Sequence, residues 1–162
     1  MRKLLILLFL TTTVAFSQTE SETLNFINSK LRSCSDTFPD INGNEIPAIW
    51  SFKKDTSSYA NIFNVSLDIG EPFQKFTLNP KNIIDIVEVK GGTLGNLNLK
   101  IISKDNSIQS WMVSDGNKNY VSELKLVLVC PSNGEVSRLK KALIHLFELN
   151  GASFADDDLF RN

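Results

Sequence analysis

The sequence of residues 133–151 is NGEVSRLKKALIHLFELNG, the stretch that reads most cleanly as a helix. At about 100° per residue, its apolar side chains gather on one face. That face comprises Val136, Leu139, Ala142, Leu143, Leu146, Phe147, Leu149 and Asn150, and the opposite face carries Arg138, Lys141, His145 and Glu148. Asn133 is a suitable N-cap, and Gly151 stands where a left-handed C-cap residue is needed. A face this apolar has to be buried, so the pattern predicts that the helix packs over the rest of the chain.

Upstream of this helix, the hydrophobic period is that of strands. Between residues 46 and 129, apolar and polar residues alternate, which is typical of antiparallel strands with one buried face. Asn-Gly, Asp-Gly and similar turn signals separate the runs. The sequence predicts seven strands, near residues 46–53, 59–69, 73–79, 83–89, 96–103, 107–113 and 122–129. Because the connections are short, we expect an antiparallel meander.

A second helix is predicted before the strands, over residues 20–32. Thr19 followed three residues later by Glu22 matches a capping box. Leu24, Ile27 and Leu31 then recur at helical spacing. The chain therefore begins its fold with a helix whose start is marked in the sequence.

These elements predict an α+β fold, in which seven antiparallel strands curl into a barrel and the C-terminal helix closes one mouth. The order of elements over residues 20–152 resembles that of the pleckstrin-homology-like barrel. The segments ETLNFINSKL and RLKKALIHLFELNGA are similar to segments of small secreted Bacteroidota proteins of unassigned function. The resemblance implies the fold but not phosphoinositide binding, because only Lys53 and Lys54 offer positive charge at the first hairpin loop.

The N-terminus has the pattern of a secretory signal peptide. Two cations, Arg2 and Lys3, precede an apolar run, and Ala15 and Ser17 occupy the small-residue positions before a cleavage site. The run is shorter than the roughly 20 apolar residues of a membrane span. We therefore predict a secreted or periplasmic protein without a stable membrane anchor. The predicted organisation is a signal peptide at 1–17, one domain at 18–152 and a short acidic tail at 153–162.

The charge of the chain bears on its partners. Removal of Arg2 and Lys3 with the signal peptide changes the formal charge from −1 to −3. Proteins that bind nucleic acid present a basic face that neutralises phosphates. The mild acidity therefore predicts no nucleic-acid partner, and the oligomeric state stays open.

The two cysteines, Cys34 and Cys130, permit a single internal disulfide. An exported protein enters an oxidising compartment, where such a bond is stable. Two separate buried thiols are the main alternative. A thiol nucleophile needs a nearby base, and the only histidine, His145, falls on the polar face of the last helix. If bonded, the pair would join the first helix to the junction between the last strand and the last helix.

Residues that could form a catalytic or metal site are few and separated. One histidine and two distant cysteines do not have the ligand spacing of a zinc site. The acidic run Asp156–Asp158 lacks the glycine and later glutamate of a calcium loop. The run Gly91–Gly95 predicts a hairpin, because no helix follows it to cradle phosphate. We therefore predict no enzymatic activity, no cofactor and no metal.

Two non-enzymatic functions then remain. We favour a binding module whose strand edge or helix groove accepts an unidentified protein or peptide. The alternative is a carrier that holds a small apolar ligand or lipid at the barrel mouth. Large inward side chains would fill a seven-stranded barrel, which disfavours the carrier. The candidates for an aromatic binding face are Trp50, Tyr59, Trp111 and Tyr120, although aromatic residues on strands more often belong to the core.

Overall fold

The computed structural model describes residues 18–40, 42–57, 61–91 and 96–154. These residues form two α-helices, nine strands and one short 3-10 helix at Pro80–Asn82. The helices are α1 (Glu20–Ser33) and α2 (Asn133–Leu149). The strands are β1 (Asp36–Pro39), β2 (Glu45–Lys54), β3 (Phe63–Ile69), β4 (Glu71–Leu78), β5 (Ile83–Lys90), β6 (Leu97–Ser103), β7 (Ile108–Met112), β8 (Lys118–Val121) and β9 (Glu123–Leu126). The predicted signal peptide and most of the predicted acidic tail lie outside the described residues.

All strands pair antiparallel, and they form two sheets. The larger sheet has the order β1-β2-β3-β4-β7-β8, and the smaller has the order β5-β6-β9. The α+β class is therefore confirmed, whereas the predicted meander is wrong, because the chain changes sheet after β4, β6 and β8. No pairing between the described strands closes either sheet into a barrel.

The seven predicted strands correspond to β2–β7 and β9, and two further strands, β1 and β8, were not predicted. Both additional strands are short, and each forms an edge of the larger sheet. Their side chains are mostly exposed, so neither strand shows the alternation that marks a half-buried strand. β1 also ends in Pro39, a residue that sheets tolerate at an edge because it donates no hydrogen bond.

One continuous core joins both helices to both sheets. α1 packs against α2 and β2, and α2 packs against β5 and β6. Leu139, Leu143 and Leu146 are fully buried, which confirms that the apolar face of the last helix points inward. Leu149, assigned to the same face from the sequence, is instead 44% exposed. Leu149 therefore lies at the margin of the buried face, since Leu146, Phe147 and Asn150 in the same turn are buried.

The helix ends follow the sequence closely. The Thr19 hydroxyl accepts from the Glu22 amide, and the Glu22 carboxylate accepts from the Thr19 amide, so the capping box is confirmed. Ser132 is the N-cap of α2, one residue before the predicted Asn133. Gly151 has a φ of +92°, the left-handed conformation that ends a helix.

Cys34 and Cys130 form a disulfide, with their Cα atoms 4.1 Å apart. Beside it, the Val129 amide donates to the Cys34 carbonyl at 3.0 Å. The end of α1 is therefore joined both covalently and by a backbone hydrogen bond to the segment that leads from β9 into α2.

Candidate functional site

A groove of about 790 Å³ lies between α1 and β2. It forms where β2 extends beyond its edge partner, since β1 pairs only with the first four residues of β2, Glu45–Ala48. Beyond Ala48, α1 takes the place of a neighbouring strand on that side. The residues that line the groove are Asn25, Asn28, Ser29, Arg32, Ser33, Trp50, Ser51, Phe52 and Lys53.

In the groove, the Asn28 side chain makes the hydrogen bonds to β2 that a neighbouring strand would make. Its amide nitrogen donates to the Phe52 carbonyl at 2.9 Å, and its amide oxygen accepts from the Phe52 N–H at 2.8 Å. An antiparallel strand would make the same pair of hydrogen bonds. One residue of the β2 edge is therefore satisfied by a side chain, at a point where the neighbouring element is a helix.

Trp50 lies between Ala48, which pairs with the first residue of β1, and Phe52, which bonds Asn28. In a strand, the N–H and C=O groups of every second residue point to the same edge. Those of Trp50 therefore point to the edge where Ala48 pairs with β1 and Phe52 pairs with Asn28. No hydrogen bond within the described residues reaches the Trp50 backbone on that side. The groove thus contains an open pair of backbone hydrogen-bonding groups.

The Trp50 side chain belongs to the core. It is 5% exposed, its ring lies 6.0 Å from that of Phe76, and its Nε1 donates to the Val127 carbonyl at 3.1 Å. Trp50 was a candidate for an aromatic binding face, and the structure places its ring elsewhere. What Trp50 contributes to the groove is therefore its unpaired backbone N–H and C=O.

The groove is polar and positively charged. Its lining holds two cations, Arg32 on α1 and Lys53 on β2, and no carboxylate. Both cationic side chains belong to exposed residues. The remaining polar groups are hydroxyls and amides, of which the Ser51 hydroxyl is bonded to that of Ser66 at 2.8 Å. The arrangement suits an anionic ligand with hydrogen-bonding groups along its length.

Trp111 and Tyr120 lie on the outward face of the larger sheet, away from this groove. Trp111 pairs with Lys118, whose ammonium lies 5.6 Å from the indole centroid. Gln109 donates to the Tyr120 hydroxyl at 3.1 Å, and Tyr120 is 65% exposed. These two aromatic residues share the outward face of the larger sheet. Tyr59, the fourth aromatic candidate, lies outside the described residues.

The other residues singled out in the sequence are dispersed. His145 contacts the Gln18 carbonyl through Nε2 at 3.4 Å, and both cysteines are bonded to each other. Lys54 donates to Glu20 at 2.7 Å and to Asn150 at 3.0 Å, which separates it from its neighbour Lys53. Within the described ranges, no three His, Cys, Asp or Glu side chains are placed to hold a metal ion. Gly92–Gly95 and the acidic run near the C-terminus lie outside those ranges.

The α1 side of the groove was not recognised from the sequence. Its polar residues recur at helical spacing, which is the ordinary pattern of a solvent-facing helix surface. They are small amides and hydroxyls more than long charged side chains, namely Asn25, Asn28, Ser29 and Ser33. That composition was the available signal, but it does not tell which strand edge lies alongside.

Comparisons with known protein families, curated proteins and solved structures returned no match to this chain. Neither described helix has both the length and the apolar composition needed to cross a membrane.

Proposed function

We propose that this protein is a non-enzymatic binding module, and that the groove between α1 and β2 accepts an extended segment of a partner protein or peptide. The observation that carries the proposal is the open N–H and C=O pair of Trp50 at a strand edge inside a groove. Addition of a strand to such an edge is a common mode of peptide recognition. Main-chain hydrogen bonds then supply affinity that does not depend on the sequence of the partner.

The same edge offers more than one hydrogen bond. A backbone that pairs with Trp50 would next meet Asn28, whose amide nitrogen has a second N–H after its bond to Phe52. Each intermolecular hydrogen bond contributes on the order of 1 kcal/mol net. Two or three such bonds, with side-chain contacts to the lining, are consistent with a reversible interaction.

The alternative function, a carrier of a small apolar ligand or lipid, has less support. Its ligand would need an apolar cavity. The core is filled by large side chains that are fully buried, including Phe63, Leu99 and Leu126. The groove itself is lined mainly by polar residues.

Secretion and the relation to pleckstrin-homology-like barrels are part of the same proposal. The Cys34–Cys130 disulfide is compatible with a periplasmic or extracellular location. Two antiparallel sheets followed by a packed C-terminal helix support the proposed relation at the level of element order. Intact mass of the exported protein tests the first point, since retention of residues 1–17 would contradict it.

The groove can be tested with peptides selected from a random display library against the mature protein. We expect bound peptide to slow hydrogen exchange at the Trp50 amide, because that N–H becomes bonded. Ser29→Trp places a bulky side chain in the groove and is expected to abolish binding, since Ser29 is exposed and lines it. Ser21→Trp, also exposed on α1 but outside the lining, is the matched control.

A different result would contradict the proposal. If the selected peptides protect residues around Trp111 instead, and bind the Ser29→Trp variant as well as the wild type, the partner surface is the outward face of the larger sheet.

A further inference from the structure

We infer that the segment accepted by the groove is acidic, with carboxylate side chains on alternate residues of an extended strand. This inference rests on the proposed function and specifies the chemistry of the partner. It follows from the charges at the groove, the pairing of the cations around it and the geometry of the β2 edge.

The cations at the groove differ from their close neighbours in the chain. Lys30 forms an ion pair with Glu135, and Lys54 forms one with Glu20. In the part of the chain that the structure describes, no ion pair involves Arg32 or Lys53. Among the described residues, the charges of these two groove cations are therefore not neutralised by an ion pair within the fold, unlike those of Lys30 and Lys54.

The positive charge of the groove contrasts with the negative charge of the whole chain. The whole chain has a formal charge of −1, whereas the groove lining has two cations and no carboxylate. An acidic ligand is therefore attracted to the groove and repelled by the rest of the surface, which favours correct placement. A basic segment would be repelled by the groove and attracted to the rest of the surface.

The two cations lie towards different ends of the groove. α1 and β2 run in opposite directions, since Glu20 contacts Lys54, Asn28 contacts Phe52, and the chain after α1 enters β1 opposite Ala48. Lys53 therefore lies towards the start of α1, and Arg32 lies towards its end. Successive side chains on one face of a strand are two residues apart, so an added strand would meet both cations with acidic residues at alternate positions.

A charged contact of this kind also fits a planar Arg32 guanidinium and a flexible Lys53 ammonium. Arginine binds a carboxylate through two parallel hydrogen bonds, whereas lysine acts as a point charge. Arg32 would therefore fix the register of the segment, and Lys53 would add attraction without a strict geometry.

The experiment uses three short blocked peptides in which Thr alternates with Glu, Gln or Lys. Affinity for the mature protein is measured at low and high salt, with hydrogen exchange at the Trp50 amide as the site readout. We expect the Thr–Glu peptide to bind roughly tenfold tighter than the Thr–Gln peptide at low salt, and the ratio to fall at high salt. The Thr–Lys peptide should bind weakest.

Variants assign the preference to the groove. Arg32→Gln with Lys53→Gln should bring the Glu and Gln peptides to equal affinity while leaving the Thr–Gln peptide unchanged. Lys125→Gln with Lys141→Gln removes the same charge from exposed positions outside the lining and should retain the preference.

The outcomes separate the inference from the proposal beneath it. Equal binding of the Glu and Gln peptides, with protection of the Trp50 amide in both cases, overturns the acidic preference and leaves the strand-addition proposal standing. Absence of protection at Trp50 with all three peptides counts against the groove as a strand-addition site. A preference for Glu that survives Arg32→Gln with Lys53→Gln also overturns the inference.

Discussion

At the scale of single residues, the burial of the Thr23 hydroxyl is not compensated by a hydrogen bond within the described residues. Thr23 is fully buried on α1. A buried hydroxyl without a partner costs about 1–3 kcal/mol in desolvation. Valine has nearly the same shape and lacks the hydroxyl.

We expect Thr23→Val to raise the free energy of unfolding by about 1 kcal/mol, because it removes the desolvation cost and keeps the packing. Urea denaturation followed by circular dichroism measures this change. Thr23→Ser is the matched control, since it keeps the hydroxyl and removes the methyl group, and it should lower the stability. A destabilised Thr23→Val variant would show that the hydroxyl has a partner beyond the described residues.

At the scale of elements, the start of α1 depends on the capping box. The backbone hydrogen bond from Thr19, followed by that from its side chain, holds the pKa of Glu22 below its ordinary value of 4.5. A carboxyl with a lowered pKa in the folded state stabilises the fold above its unfolded pKa. That contribution is lost as the pH falls through the lowered, folded-state pKa.

We expect Thr19→Ala to raise the pKa of Glu22 part of the way towards 4.5, because it removes the hydroxyl bond and keeps the backbone bond. Loss of the N-cap hydroxyl should also lower stability by about 1 kcal/mol at neutral pH. The side-chain carbon resonance of Glu22, followed by NMR from pH 6 downwards, reports the pKa directly. Glu22→Gln removes the titrating group and should flatten this part of the stability profile below pH 4.5. An unchanged pKa in Thr19→Ala would mean that the backbone hydrogen bond from residue 19, which alanine retains, lowers it without help from the hydroxyl.

The elements that the sequence revealed are those with one buried face. Alternation located β3 because Phe63 and Val65 are buried while Asn64 is exposed, and the apolar stripe located α2. β1 and β8 were not predicted, because edge strands with mostly exposed side chains do not alternate between buried and exposed residues. The pairing of β7 with β4, not with β6, could not be read either, since partner choice depends on how the two sheets pack together.

The groove was not predicted from the sequence for a related reason. Asn28 and Arg32 have the spacing of an ordinary polar helix face, and β2 has the alternation of an ordinary strand. Only the tertiary structure shows that β1 pairs with β2 no further than Ala48 and that α1 continues along the same edge. The sequence contained the strand-edge hypothesis, but not which edge stays open.

At the scale of the whole molecule, α1 is fixed along its length, which sets the width of the groove. Near its start, Glu20 meets Lys54, which also bonds Asn150 at the end of α2. Along its length, Asn28 holds the β2 backbone, and just after its end Cys34 is bonded to Cys130. A groove with fixed walls loses less entropy when a ligand binds. The disulfide therefore contributes both to the stability of the fold and to the preorganisation of the groove for binding.

Loss of the disulfide tests this view of the whole fold. The bond closes a loop with a sequence separation of 96, for which the chain-entropy relation gives about 4–5 kcal/mol. We expect Cys34→Ser with Cys130→Ser to lower the free energy of unfolding by about that amount in urea denaturation. Reducing agent should destabilise the wild type to a similar extent and leave the double variant unchanged. Peptide affinity at the groove should also fall in the folded double variant, because α1 has lost its covalent attachment. A loss of stability below about 1 kcal/mol would show that the contacts around Lys54 and Asn28 hold α1 without the disulfide.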